Sequence, residues 1–100
     1  MVKSYDEYVL TNAKERNFLH PDTFKIPSDE CINKLSEGHT VKLGFEFDRP
    51  GKCSGERMWV KIEKREGNNF TGFLNDTPYF LRIDYDKPIE FTSENIIEIY

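Results

Sequence analysis

The chain is poor in the residues and patterns that most often announce chemistry. Cysteine occurs twice in 100 residues, as Cys31 and Cys53. Their separation fits neither a Cys-x-x-Cys redox pair nor the paired Cys/His spacing of a zinc site, so two reduced thiols are expected. A Gly-rich phosphate loop, a His-Glu metal pair and a Gly-x-Ser-x-Gly elbow are all missing, and with them the motif-based case for an enzyme. No cofactor or metal is implied. Runs of about 18 apolar residues are missing too, and MVKSYDEYVL has no apolar core of signal-peptide length. A cytoplasmic protein without membrane contact is therefore expected.

Charge of one sign is not concentrated anywhere along the chain. The net charge is −4, and each half carries seven basic and nine acidic residues. Nucleic acid requires Lys and Arg gathered on one face, whereas here basic residues sit beside acidic ones, as in Lys61, Glu63, Lys64, Arg65 and Glu66. The sequence gives no nucleic-acid signal, although a patch assembled by folding is compatible with such a pattern. What the chain does have is apolar bulk. Hydrophobic residues make up 37% and aromatics 14%, enough to offset the entropy of ordering one domain.

Ser4-Tyr5-Asp6-Glu7 fits a capping box, and Tyr5, Tyr8, Val9 and Ala13 recur at helical spacing, which predicts a helix from about Tyr5 to Arg16. His20 to Pro27 carries two prolines and reads as an extended crossing segment. Ser28 is a candidate N-cap for a short second helix with Cys31, Ile32 and Leu35 as its apolar stripe and Gly38 at its end. From Thr40 the period becomes two: Val41, Leu43, Phe45 and Phe47 share one face. Asp48 to Gly55 reads as a loop. Met58, Val60 and Ile62 then alternate with Trp59, Lys61 and Glu63, and Glu66 to Asn69 turns the chain into Phe70 to Asn75. Further strands are expected at Tyr79 to Leu81, Ile89 to Thr92 and Ile96 to Tyr100, with turns at Asp84 to Lys87 and Ser93 to Asn95. The expected fold is α+β: a strongly bent antiparallel sheet or small SH3-like barrel of five to six strands, with one or two N-terminal helices. A helical segment over residues 1–38 would pack on a β unit over residues 40–100 of one domain.

Gly55-Glu56-Arg57-Met58-Trp59-Val60-Lys61-Ile62, Phe70-Thr71-Gly72-Phe73-Leu74-Asn75-Asp76-Thr77-Pro78 and the ending Ser93 to Ile99 resemble the uncharacterised bacterial YegJ-like domain-of-unknown-function family. His20-Pro21 and Thr23-Phe24 extend the likeness, while Arg82 to Lys87 departs from the Gly-Asp turn of that family. The resemblance implies a fold and brings no activity with it.

Candidate functional residues come from exposed chemistry. Trp59 alternates away from Met58, Val60 and Ile62, so its ring lies on the outer sheet surface, near Arg57 and Phe73; either it is open for binding, as aromatic and Arg anchors of interfaces are, or an N-terminal helix covers it. Asn75 and Asp76 either read a polar ligand or satisfy their own turn. His20 and His39 lack a sequence-adjacent partner for acid–base work. Cys53, between Lys52 and Arg57, is a candidate thiolate. Three readings result. The first is a non-catalytic module for a protein partner, of the inhibitor or immunity type, using the Arg57/Trp59 face and the Asn75 to Pro78 turn, with Asn75 and Asp76 as its polar contacts. The second is a binder of a nucleotide-like ligand, with Trp59 stacking and Arg57 or Arg82 on phosphate. The third is an enzyme using Cys53 or His20, for which no catalytic residue is assigned.

Overall fold

The computed structural model describes residues 5–48 and 54–100. Ser4 and Cys53, with most of the loop predicted after Asp48, lie outside the described residues. The elements run β1 (Val9–Leu10), α1 (Ala13–Leu19), α2 (Asp29–Asn33), β2 (Thr40–Glu46), β3 (Gly55–Glu66), β4 (Asn69–Leu74), β5 (Ile89–Thr92), a 3-10 turn (Ser93–Asn95) and β6 (Ile96–Ile99). All strand pairings are antiparallel. The path is β1-β2-β3-β4-β5, and β6 returns to pair with β2, giving a nearly closed, small SH3-like barrel. No helix among the described residues is long and apolar enough to cross a membrane.

β3 makes the bend. Its first half pairs with β2 (Leu43↔Met58) and its second with β4 (Arg65↔Phe70), with a bulge between Ile62 and Lys64; a bulge bends the strand and increases its twist. Gly67, at positive φ, is the first of the two residues joining β3 to β4, the position a type II′ hairpin assigns to glycine. The period-two residues go inside as predicted: Val41, Leu43, Phe45, Met58, Val60 and Ile62 are essentially inaccessible, joined by Ile89 and Ile96. Each such burial is worth roughly 1.5–3 kcal/mol.

The amino-terminal segment departs from the predicted helix. Residues 5–8 are not helical, and Val9 and Leu10 pair with Glu46 and Phe45. Helix α1 begins only at Ala13, where the Asn12 side chain accepts the Glu15 amide, and runs to Leu19. Tertiary pairing outweighs the local helical spacing: the Thr11 amide donates to the Gly44 carbonyl at 2.9 Å, and Tyr8 sits edge-on to Phe45. α2 is N-capped by Ser28 as predicted but ends at Asn33, with Cys31 exposed; Gly38, at φ 96°, serves the next turn.

The two helices do not share a side. α2 sends Ile32, followed by Leu35, into the barrel core. α1 packs against β6 and the 3-10 turn, where Thr11, Ala13 and Ile97 form a small buried layer outside that core. Gly44 makes this layer possible, since a Cβ there would lie 2.6 Å from the Thr11 hydroxyl.

Tyr79 to Leu81 is not a strand either. The amides of Tyr79, Phe80 and Leu81 all donate to the Glu56 carboxylate. Glu56 shares the inward parity of Met58 at the end of β3, so it buttons the long β4–β5 connection across one barrel opening, with Leu81 buried beneath. The other end is fixed by Arg65, whose guanidinium donates to the carbonyls of Ile32 (2.9 Å) and Leu35 (2.8 Å) and lies over Phe70.

Candidate functional site

Strand register decides what surrounds Trp59. Lys42 of β2 is directly opposite Trp59, Glu98 of β6 is opposite Lys42, and on the other flank Phe73 is opposite Lys61. Outward alternation therefore sets Lys42, Trp59, Lys61 and Phe73 on one surface. The Lys42 ammonium lies 4.6 Å from the indole centroid and 3.7 Å from the Glu98 carboxylate. The Tyr100 ring meets the indole at 5.3 Å and 89°, the edge-to-face geometry that ring quadrupoles favour. Tyr100 itself is 89% exposed, held by its amide to the Thr40 carbonyl.

The backbone under the indole is fixed from the β4 side. The Trp59 amide donates to Asp76 Oδ2 at 3.0 Å, and the Asn75 amide donates to the Trp59 carbonyl at 2.9 Å. The other Asp76 oxygen accepts the Thr77 amide at 2.8 Å, and the Asp76 carbonyl accepts the Tyr85 hydroxyl. Both oxygens of Asp76 thus serve the turn, which supports Trp59 from behind. Asn75 is exposed beside it.

The candidate residues do not all converge. Trp59, Asn75 and Asp76 are contiguous. Arg57 is two residues along the same strand face, its guanidinium 5.0 Å from the Phe24 ring. Arg82 belongs to the amino-terminal segment: its amide donates to Asp6 Oδ2 at 2.7 Å, its carbonyl accepts the Asp6 amide, and its guanidinium pairs with the same carboxylate. The buried layer beneath α1 stops at Gly44 and Ile97, and Trp59 stays partly exposed. Lys42 and Tyr100 escaped the sequence reading because they approach Trp59 through pairings that only the folded sheet makes.

Neither histidine acquires an acid–base partner among the described residues, and Cys53 lies outside them. His20 is exposed and, among the described residues, makes no ion pair and no side-chain hydrogen bond. His39 accepts the Ser36 amide through Nδ1 and shapes a turn. Among the described residues no cluster of His, Cys, Asp and Glu could hold a metal ion. A separate open groove of about 1280 Å³ lies at the far end of β2, floored by Tyr8, Phe47 and Ile83 and edged by Glu7, Asp48 and Asp84. Comparison with protein-family models, with curated proteins and with solved structures finds no match to this chain, so its site is described by geometry alone.

Proposed function

We propose that this chain is a non-catalytic binding module that docks a protein partner on the outer sheet face around Trp59. One observation carries the reading. Trp59, Tyr100 and Lys42 form a packed but open cluster, and its central backbone is pinned by Asp76. An aromatic anchor already held in place loses little freedom on binding, and Trp, Tyr and Arg are the residues that dominate interface energies. The acidic balance and small size suit an inhibitor or immunity-type protein, and the YegJ-like resemblance joins this proposal without adding an activity to it.

A nucleotide-like ligand is the competing reading, in which Trp59 stacks on a base and an arginine meets phosphate. The arginine positions weigh against it, since Arg57 is occupied by Phe24 and Arg82 by Asp6. The test is affinity purification with wild type and Trp59→Ala as baits, followed by titration of the recovered partner. Loss of about 30-fold in affinity is expected for an anchor worth about 2 kcal/mol. Equal affinity for the two baits removes the face from consideration. A thermal-shift screen against nucleotides decides the competitor, because a ligand at 100 times its Kd adds about 2.7 kcal/mol of stability.

A further inference from the structure

One seam of the sheet stays open. β5 pairs with β4 on one flank, and no strand among the described residues pairs with its other flank; β1, at the opposite end of the strand order, pairs with β2 alone. The groove of about 1280 Å³ lies between these two edges, with Glu7, Tyr8 and Val9 lining it from the β1 side and Pro88 and Glu90 from the β5 side. A free strand edge offers N–H and C=O groups to an extended chain. The charges beside this edge are mostly of one sign. Glu7, Asp48, Asp84 and Glu90 line the groove and, among the described residues, make no ion pair, against the one lining cation Lys87. The two other lining carboxylates are engaged, Asp6 with Arg82 and Glu46 with Thr11 and Arg16.

We infer that β5 takes an extended, basic segment of a partner protein as an added strand, with Lys or Arg side chains meeting Glu7, Asp48 and Glu90 and apolar ones resting on Tyr8 and Ile83. The open edge selects the backbone form of the occupant. In strand addition the main chain supplies affinity and alternate side chains supply selection. β5 is four residues long, so the ordered part of the segment is short, about 13 Å. Charge selects the sign, because opposite charge steers encounter and fixes register while like charge is rejected at a cost. A second copy of this chain is disfavoured on the same ground, since it would bring another Glu90 edge and a net charge of −4 to this one. Trp59 does not line the groove, and this inference is independent of the Trp59 face.

The test is a random dodecapeptide phage library selected on the wild-type chain, with counter-selection on a chain carrying Asp48→Lys and Glu90→Lys. Enrichment of peptides with net positive charge and alternating apolar residues is expected. The corresponding synthetic peptides should slow amide exchange in Ile89–Thr92 and weaken severalfold at high salt. Neutralising the edge with Asp48→Asn and Glu90→Gln should lower their affinity about tenfold with the thermal midpoint unchanged. The fluorescence of Trp59, the single tryptophan of the chain, should stay constant in titrations with Trp-free peptides, which separates this site from the Trp59 face. N-methylation of alternate peptide residues reads the strand pairing itself: methylating one alternate set should abolish binding and methylating the other should leave it intact. An equal effect of the two methylations overturns strand addition. Groove-dependent peptides that are neutral or acidic overturn the basic assignment, and enrichment indifferent to the Asp48→Lys/Glu90→Lys pair, or none, overturns the site while leaving the Trp59 face untouched.

Discussion

Glu56 acts through geometry rather than chemistry. Three successive amides share its carboxylate, an arrangement in which a charged acceptor replaces the ladder that Tyr79 to Leu81 would otherwise need. Replacing it by Ala leaves those donors to water and frees the loop over Leu81. A loss of about 1.5–3 kcal/mol is expected, with less for Glu56→Gln, which keeps one acceptor oxygen; urea denaturation of both variants measures it. Tyr8 offers a pH prediction. Burial raises its phenol above the ordinary value of 10.0, so the folded chain holds that proton longer than the unfolded chain does. The stability contribution is therefore complete below the unfolded value and is lost as pH rises through the folded one. Stability should fall as pH rises above the ordinary phenol value of 10.0, and less so in Tyr8→Phe, as followed by chemical denaturation at stepped pH.

Among elements, the contrast between α1 and β2 shows which parts of a sequence speak for themselves. Alternation over Thr40 to Phe47 marks a strand because one face is wholly buried, and period two leaves no other register. Tyr5 to Arg16 carries an equally regular helical spacing, yet Val9 and Leu10 within it pair with β2, and a two-residue strand has no period to read. What fixes the outcome is Gly44, whose missing side chain admits Thr11, with the Thr11 hydroxyl donating to Glu46 at 2.7 Å and Glu46 facing Arg16. Gly44→Val should force this segment off the sheet, costing about 1–3 kcal/mol. Amide exchange over Ala13–Leu19 should then quicken more than exchange in β3 and β4, which hydrogen-exchange mass spectrometry resolves. Tyr79 to Leu81 misled for the same kind of reason: its apolar run resembles a strand, and the acceptor that holds it lies in β3.

At the scale of the molecule, the barrel was legible as a class because five strand patterns and their turns are local. Its closure and its candidate site were not. Val41↔Ile99 and Leu43↔Ile96 join distant parts of the chain and carry Tyr100 to Trp59, while Lys42 reaches the indole through the β2–β3 register. Truncation after Asn95 removes β6 and, with it, Ile96 and Ile97 from the buried interior. The truncated chain should lose cooperative unfolding, with far-UV circular dichroism and Trp59 fluorescence transitions that separate, whereas those of the full chain should coincide.

The position of Tyr100 also bears on how this protein can be handled. Its ring stands against Trp59 while its amide is tied to β2, so any tag or fusion appended after it leaves the fold beside the indole. A carboxy-terminal affinity handle would crowd the surface it is meant to probe, and a polyhistidine or acidic epitope would change its local charge. The difference in capture with and without a handle after Tyr100 is itself a measure of how much of the binding passes through that surface.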